Sequence, residues 1–396
     1  MMRVTRWVVV IGLAAMMTIF VRTDAGTPAG PRTRARPTAG ARTPPPVSLA
    51  TPPPDGPGWN YAYIGRSSDQ RLEHVVATGP ADAWAVGNGR HSRLLLHFDG
   101  RSWEEHRLPA LPRGVALSFI AASGPDNAWL FGTTLTPAHY AWRWDGSRWH
   151  DVPFPEKHIV LDAEVFAPDD VWTVGNHRES LHWDGTRWRT VPMPAVARAI
   201  SAVAADDMWA VGLRETPGGR QLSQPAAMRW NGHTWRLMAT PVYHFRMSVP
   251  EPSAELTDVV ALSADEAWTF GDQTFNHGEM DSEDPPDPPA ILLHWNGMRW
   301  TRQPPTPRLG TCCRLLSPDG KGGIMLVNRS AWTRTADGRF AKPPAPPEFT
   351  GLGGKTSFVF ENVANVPGTS RLWGVGVIGH GEAGNNWSRV AIVRYR

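Results

Sequence analysis

The sequence predicts an all-β fold, a seven-bladed β-propeller built of four-stranded antiparallel blades. Three observations predict it. Tryptophan is in large excess, with 20 Trp against 5 Tyr. A two-part Trp motif recurs along most of the 396 residues. The last repeat lacks its final part, and that part is found at the other end of the chain.

The first half of the motif is an acidic turn and then Trp, any residue, Val or Phe, and Gly. It reads Ala81-Asp82-Ala83-Trp84-Ala85-Val86-Gly87 in its first copy and returns around Trp129, Trp172, Trp209 and Trp268. The second half is an apolar stretch ending in an aromatic, then Asp-Gly or Asn-Gly, two residues, and Trp. Examples are Phe98-Asp99-Gly100-Arg101-Ser102-Trp103 and Trp144-Asp145-Gly146-Ser147-Arg148-Trp149. It recurs at Asp184-Gly185, Asn231-Gly232 and Asn296-Gly297. A sixth copy is degenerate: Gly323 to Val327 replaces the Trp strand, and Asp337-Gly338-Arg339-Phe340 replaces the hairpin. A seventh begins at Leu372-Trp373-Gly374-Val375-Gly376 and stops at Tyr395 without its Trp hairpin.

Asp55-Gly56-Pro57-Gly58-Trp59 precedes the first copy with the missing spacing. An N-terminal strand is therefore expected to complete the C-terminal blade and close the ring. Periods near 40–50 residues built of four short strands indicate propeller blades. Asp-Gly and Asn-Gly are strong hairpin signals because they accept positive φ at little cost. A lone blade would leave two apolar faces wet, and stacking blades around an axis buries both. The periodic Trp rings are expected to fill the wedges between blades. The non-periodic Trp142 and Trp387 are the better candidates for a displayed, sugar-stacking ring.

The propeller is expected over residues 55–396. Before it, Arg3 and Arg6 precede an uncharged apolar run from Trp7 to Val21. Residues 1–25 thus read as a signal peptide, cleaved after Ala25, or as an uncleaved N-terminal membrane anchor. Either exports the rest, so a secreted or cell-surface location is expected. Residues 26–54 form a linker rich in Pro, Arg and Thr with almost nothing to bury, and disorder is expected there. Seven arginines but one acid precede residue 55, leaving 33 basic against 36 acidic residues in the body. The body therefore carries no basic bias, and no nucleic-acid partner is expected. Cys312 and Cys313 are the only cysteines and are adjacent. They exclude a long-range disulfide framework and leave a vicinal disulfide or two free thiols. The Arg-, Ala- and Pro-heavy composition points to a GC-rich bacterial source.

The Trp-x-Val/Phe-Gly strands and Trp-Asp-Gly-x-x-Trp hairpins resemble a group of exported bacterial propellers described as kelch-like or galactose-oxidase-like. The hairpins are also similar to the Asp-box of sialidase-type propellers. Two departures stand out. The kelch Gly doublet is a single Gly here (Gly87, Gly175, Gly212), and Asp and Gly are adjacent where the Asp-box separates them. The resemblance implies the fold. A copper site of the galactose-oxidase type would need a cysteine beside a tyrosine, and none of Tyr61, Tyr63, Tyr140, Tyr243 or Tyr395 lies in such a motif. Arg148, Arg187 and Arg299 sit at hairpin turns rather than as a sialidase arginine cluster. The sequence holds no phosphate loop, zinc-type spacing or calcium loop, and no cofactor is expected.

Candidate site residues follow from the architecture. Connections after the second and fourth strands vary in length and emerge on one face, and the longest are 213–225, 237–255, 272–289 and 379–388. The acidic insertion at 272–289 offers His277, Asp281 and Asp284, and the last loop offers Trp387. Polar residues near the starts of the innermost strands are Glu73, His74, Asp162, Asp258, Glu361 and Asn362, and strand alternation sends some of them into the central channel. The expectation is a non-catalytic, monomeric binding or scaffolding module that presents its loop face to an extracellular glycan, peptide or protein. The alternative is an extracellular carbohydrate-active hydrolase or lyase using acids at the channel mouth.

Overall fold

A computed structural model describes residues 58–135, 138–216, 222–245, 249–276, 288–304, 313–328, 331–336, 338–349, 356–380 and 388–396. The expected signal segment and linker lie outside the described residues. So do Cys312, His277, Asp281, Asp284 and Trp387. Among the described residues the structure is all-β, with seven four-stranded antiparallel sheets. Blades 1 to 6 are consecutive in sequence, at 70–105, 116–152, 162–192, 196–238, 253–302 and 313–341. Blade 7 takes three strands from 356–395 and its fourth from Trp59–Ile64. The first strand of each blade lies innermost and contacts the first strands of both neighbouring blades, so the ring is closed.

Closure uses the same bonding as an ordinary hairpin. Trp59 pairs with Tyr395, as Trp183 pairs with Trp188 and Trp295 with Trp300 within single blades. Gly58 and Arg396 exchange backbone hydrogen bonds of 3.1 and 3.2 Å. The closing ladder differs from those hairpins in a register shift between Tyr61 and Tyr63.

The Trp spacing follows from how blades stack. The second-strand Trp of blades 1 to 4 and of blade 7 packs on the aromatic pair that flanks the hairpin of the next blade, whereas Trp268 of blade 5 meets Arg334, 4.0 Å over its ring, which pairs with Phe340 at that hairpin. Trp84 meets Trp144 and Trp149 at 6.1 and 6.0 Å, and Trp209 meets Trp295 and Trp300 at 5.0 and 4.9 Å. Across the closure, Trp373 meets Phe98 and Trp103 at 4.9 and 5.2 Å. Blade 6 carries Met325 where the others carry Trp, and Met325 packs in one buried cluster with Trp59 of the closing strand. Each buried indole removes about 150–250 Å² from water. The fold is therefore held by seven inter-blade seams rather than one central core. Trp142, expected as a display residue, is 2% exposed and belongs to the seam between blades 1 and 2. Its alternation in the third strand turns it inward.

The Gly of the first half-motif is a contact requirement. Each innermost strand passes close over it. A Cβ at Gly87 would lie 2.0 Å from the Arg71 carbonyl oxygen, and one at Gly271 would lie 2.0 Å from that of Glu255. The Gly of the hairpins has φ between +84° and +93°, which side chains rarely adopt.

Candidate functional site

Six of the innermost strands carry a register shift near their start, which leaves Glu73, Ser118, Arg198, Thr257, Arg314 or Glu361 as the extra residue. Such bulges re-aim the side chains that follow. The sequence-predicted channel residues separate into two registers on this basis. His74, Asp258 and Asn362 directly follow a bulge, and Asp162 holds the equivalent place in blade 3. Glu73 and Glu361 are themselves the bulged residues.

The innermost strand is the edge of its sheet, so alternate backbone N–H groups have no ladder partner. Side chains of the preceding blade supply the acceptors. Asp162 accepts from the N–H of Ile200 at 2.9 Å, and Asp258 from that of Leu316 at 2.6 Å. Two residues deeper, Glu164 accepts from Ala202 at 3.0 Å and Ser201 from Ala261 at 3.1 Å. The channel carboxyls thus tie blade 3 to 4 and blade 5 to 6. Asp162, Glu164 and Asp258 are all half-buried. Burial pushes Asp162 up to about 7. Burial, helped by the charge of Asp162, pushes Glu164 up to about 8 and Asp258 well above the carboxylate range. The N–H bonds oppose these shifts without reversing them. Burial holds the His74 ring down to about 4, and it lies 3.9 Å from the Phe119 ring. His74 is therefore neutral at pH 7. Asn362 is buried.

At the channel mouth the charges are paired between blades. Arg71 meets Glu361 at 2.6 Å across the closing seam, and Arg198 meets Glu255 at 2.9 Å between blades 4 and 5. Glu73 accepts from the Asn88 amide at 3.1 Å, and that side chain also exchanges bonds with the Leu117 backbone of blade 2.

The two faces of the ring differ. On one, the hairpins are copies of each other: Asp99, Asp145, Asp184, Asn231 and Asn296 each accept the backbone N–H groups of the two residues that precede the Trp. On the other, the long connections of blades 4 and 5 are joined. Leu222 donates its N–H to Pro252 at 2.8 Å, and the hydroxyls of Ser223 and Ser253 lie 2.5 Å apart. Gln224 donates to the Tyr243 carbonyl at 2.7 Å and accepts the Tyr243 N–H at 2.8 Å. Arg302 lies 4.1 Å over the Tyr243 ring and donates to the Val242 carbonyl. Asn276 bonds to both Pro250 and Glu251, and Phe245 meets the edge of Phe275 at 5.8 Å. Leu222 and Val242 are 54% and 47% exposed on this surface.

Sequence reading missed a recurring trio. An acid or amide two residues before the second-strand Trp meets a His or Arg of the third strand. The pairs are Asp82 with His97 at 2.7 Å, Asn127 with Arg143 at 3.2 Å, Asp170 with His182 at 2.8 Å and Asp207 with Arg229 at 2.8 Å. His97, His182 and His294 stack on Trp84, Trp172 and Trp268 at 4.0, 4.2 and 4.2 Å. Repetition from blade to blade makes this a fastener of the second strand to the third, not a catalytic group. The signal was present: His or Arg always precedes the aromatic of the hairpin. Glu164 and the partners Arg71 and Glu255 were also missed, because inter-blade pairing is invisible along the chain.

No protein-family model matches the chain, and no curated protein matches it in sequence. Solved structures match in fold. A YCF48 structure described as bound to D1 peptide aligns with a TM-score of 0.54 at 13% identity, covering 86% of this chain and 97% of that one. YCF48 from Cyanidioschyzon merolae aligns with a TM-score of 0.51 at 11% identity, covering 86% and 99%. The extracellular domain of a putative hybrid two-component system from B. thetaiotaomicron aligns with a TM-score of 0.54 at 9% identity, covering 85% of this chain and 40% of that one. At these identities the likeness is one of fold. The chain is a seven-bladed β-propeller.

Proposed function

We propose that this propeller is a non-catalytic binding module which presents its loop face to a polypeptide outside the cell. The joined surface built by blades 4 and 5 carries the reading. Long connections that bond to one another form a rigid platform, and exposed Leu222 and Val242 on it are side chains a partner would bury. The fold likeness to a propeller solved with a peptide supports a polypeptide ahead of a glycan. Export rests on the basic, apolar N-terminus, with residues 7–21 as the core of a signal peptide or of a membrane anchor, and kinship to the exported kelch-like group rests on the Trp motifs.

Hydrolysis at the channel is the weaker reading. Asp162, Glu164 and Asp258 each give an oxygen to the backbone N–H of the following blade, which accounts for their presence structurally.

The test is binding of the intact chain to peptide and glycan arrays, with hydrolase assays on any sugar retained. Peptide binding that Leu222→Asp and Val242→Asp abolish, and that Met298→Asp on the hairpin face leaves intact, is the expected result. Turnover of a bound sugar, lost in Asp258→Asn, would replace this reading with the enzymatic one.

A further inference from the structure

We infer that a separate cavity on blade 2 receives a basic side chain, arginine or lysine, of a polypeptide. The cavity has a volume of about 450 Å³ and lies where the connection from blade 1 (Ala110, Pro112) passes over the outer strands of blade 2. Its apolar wall is aromatic: Tyr140, Trp142 and Phe154 line it, and the Tyr140 and Trp142 rings are near-parallel, 5.8 Å apart at 15°. Its ionisable lining is Asp151, Glu156 and His139. Asp151 and Glu156 are exposed, and neither side chain has a hydrogen bond or ion pair among the described residues. Among the described residues no lysine or arginine lines the cavity; Arg113 and Lys157 are exposed, each one residue beyond a lining residue.

Aromatic walls with unpaired carboxylates at the rim suit an organic cation. The half-buried Tyr140 and Phe154 rings attract the positive charge, and the carboxylates accept its N–H groups. A glycan would want amides and hydroxyls around a displayed ring, and Trp142 is only 2% exposed. A basic side chain on an extended peptide fits the volume, which lies within the usual range of ligand sites, about 300–1,000 Å³.

His139 gives the site a sensitivity to pH. Burial, and then the proximity of His158 and His177, hold His139 below its ordinary range, so the ring is neutral at pH 7. His158 lies 3.0 Å from Glu179 and 5.1 Å from the His177 ring, at the junction of blades 2 and 3. Acidification protonates His139 inside the cavity and sets a positive charge against the bound cation.

The experiment is saturation-transfer NMR and titration of the intact chain with blocked Gly-Arg-Gly, blocked Gly-Lys-Gly and blocked Gly-citrulline-Gly. Citrulline keeps the shape of arginine and removes its charge. Arginine or lysine peptide is expected to bind at least about tenfold more tightly than the citrulline peptide. Asp151→Asn and Glu156→Gln, both conservative and exposed, are each expected to weaken binding by about two- to fivefold. Tyr140→Leu keeps apolar volume and removes a ring face, and is expected to weaken it further. Equal binding of the citrulline peptide, unchanged affinity in the Asp151→Asn, Glu156→Gln double variant, or no binding up to about 10 mM would overturn the assignment. Leu222→Asp and Val242→Asp are expected to leave this binding unchanged, so failure here is separate from failure of the blade 4–5 surface.

Discussion

Two sets of carboxyl groups in this propeller have the same kind of partner and opposite acidity. On the hairpin face, Asp99, Asp145 and Asp184 accept backbone N–H groups. All three are held below the usual carboxylate range: Asp99 by the Ser102 and Arg101 N–H groups, Asp145 first by the His150 ring, and Asp184 first by the Thr186 hydroxyl. In the channel, Asp162, Glu164 and Asp258 also accept backbone N–H groups, and all three are pushed up. The weight of burial separates the two sets. It is a lesser cause for the hairpin aspartates and the largest for the channel carboxyls, where the Asp162 charge adds to it for Glu164 and Asp258. A hydrogen bond to a carboxylate therefore does not by itself report an ionised group.

The strongest way to break this contrast is to open the ring. Trp59→Ala removes the aromatic that seals the closing strand and is expected to cost about 3–5 kcal/mol of stability. Chemical denaturation measures the loss, and carboxyl titration by NMR should show the Asp162 and Asp258 resonances moving toward ordinary values as water enters. Unchanged channel titration in a destabilised ring would mean that the seam does not control hydration.

Next in size is Asp258→Ala, which leaves the Leu316 N–H without its acceptor. A buried donor left unpaired costs about 1–3 kcal/mol. Asp258→Asn keeps an acceptor and removes only the titrating group, so it should be far milder. Equal losses in the two variants would show that the carboxyl group itself, not the N–H bond, matters there.

The pH profile sharpens the same point. A carboxyl whose pKa is raised on folding binds its proton more tightly in the native state. Stability from Asp162 and Glu164 is therefore full below about pH 4, the unfolded pKa, and is lost as pH rises through about 7 to 8. Asp162→Asn should remove part of that slope, on the order of 1 kcal/mol between pH 5 and 8. The hairpin aspartates act in the opposite sense. Their contribution is present above about pH 4 and falls away under stronger acid. Asp184→Ala should then shift thermal stability only slightly at pH 7, and the shift should shrink as acid titrates the group below the usual carboxylate range. A profile of denaturation midpoints against pH distinguishes the two sets directly.

The smallest effect belongs to the blade 2 cavity. His139→Asn should leave stability nearly unchanged and flatten the decline of peptide affinity as pH falls below the ordinary histidine range. A decline that persists in the variant would assign it to the carboxylates instead.

The periodic features were legible in the chain because each blade repeats one local solution. Trp84, Trp129 and Trp209 repeat because every wedge needs a ring, Gly87 and Gly271 because an inner-strand carbonyl sits over them, and Gly100 and Gly185 because the turn needs positive φ. The orphan Trp59 was readable for the same reason. The site was less legible. His74, Asp162, Asp258 and Asn362 were picked out as polar residues on inner strands, but the bulges that sort them from Glu73 and Glu361 leave no mark in the alternation. Trp142 was misread because it lies outside the repeat, although its place two residues before Trp144 puts it on the face that packs in the seam between blades 1 and 2.

The sequence by itself determined the blade count, the turn chemistry and the closing strand, since those depend on contacts that recur within or between adjacent repeats. Only the tertiary structure decided which carboxyls face one another, which loops join and which aromatics wall a cavity. Those relations link residues tens of positions apart on different blades. No local propensity encodes the hydration of a group whose surroundings exist only after the ring has closed.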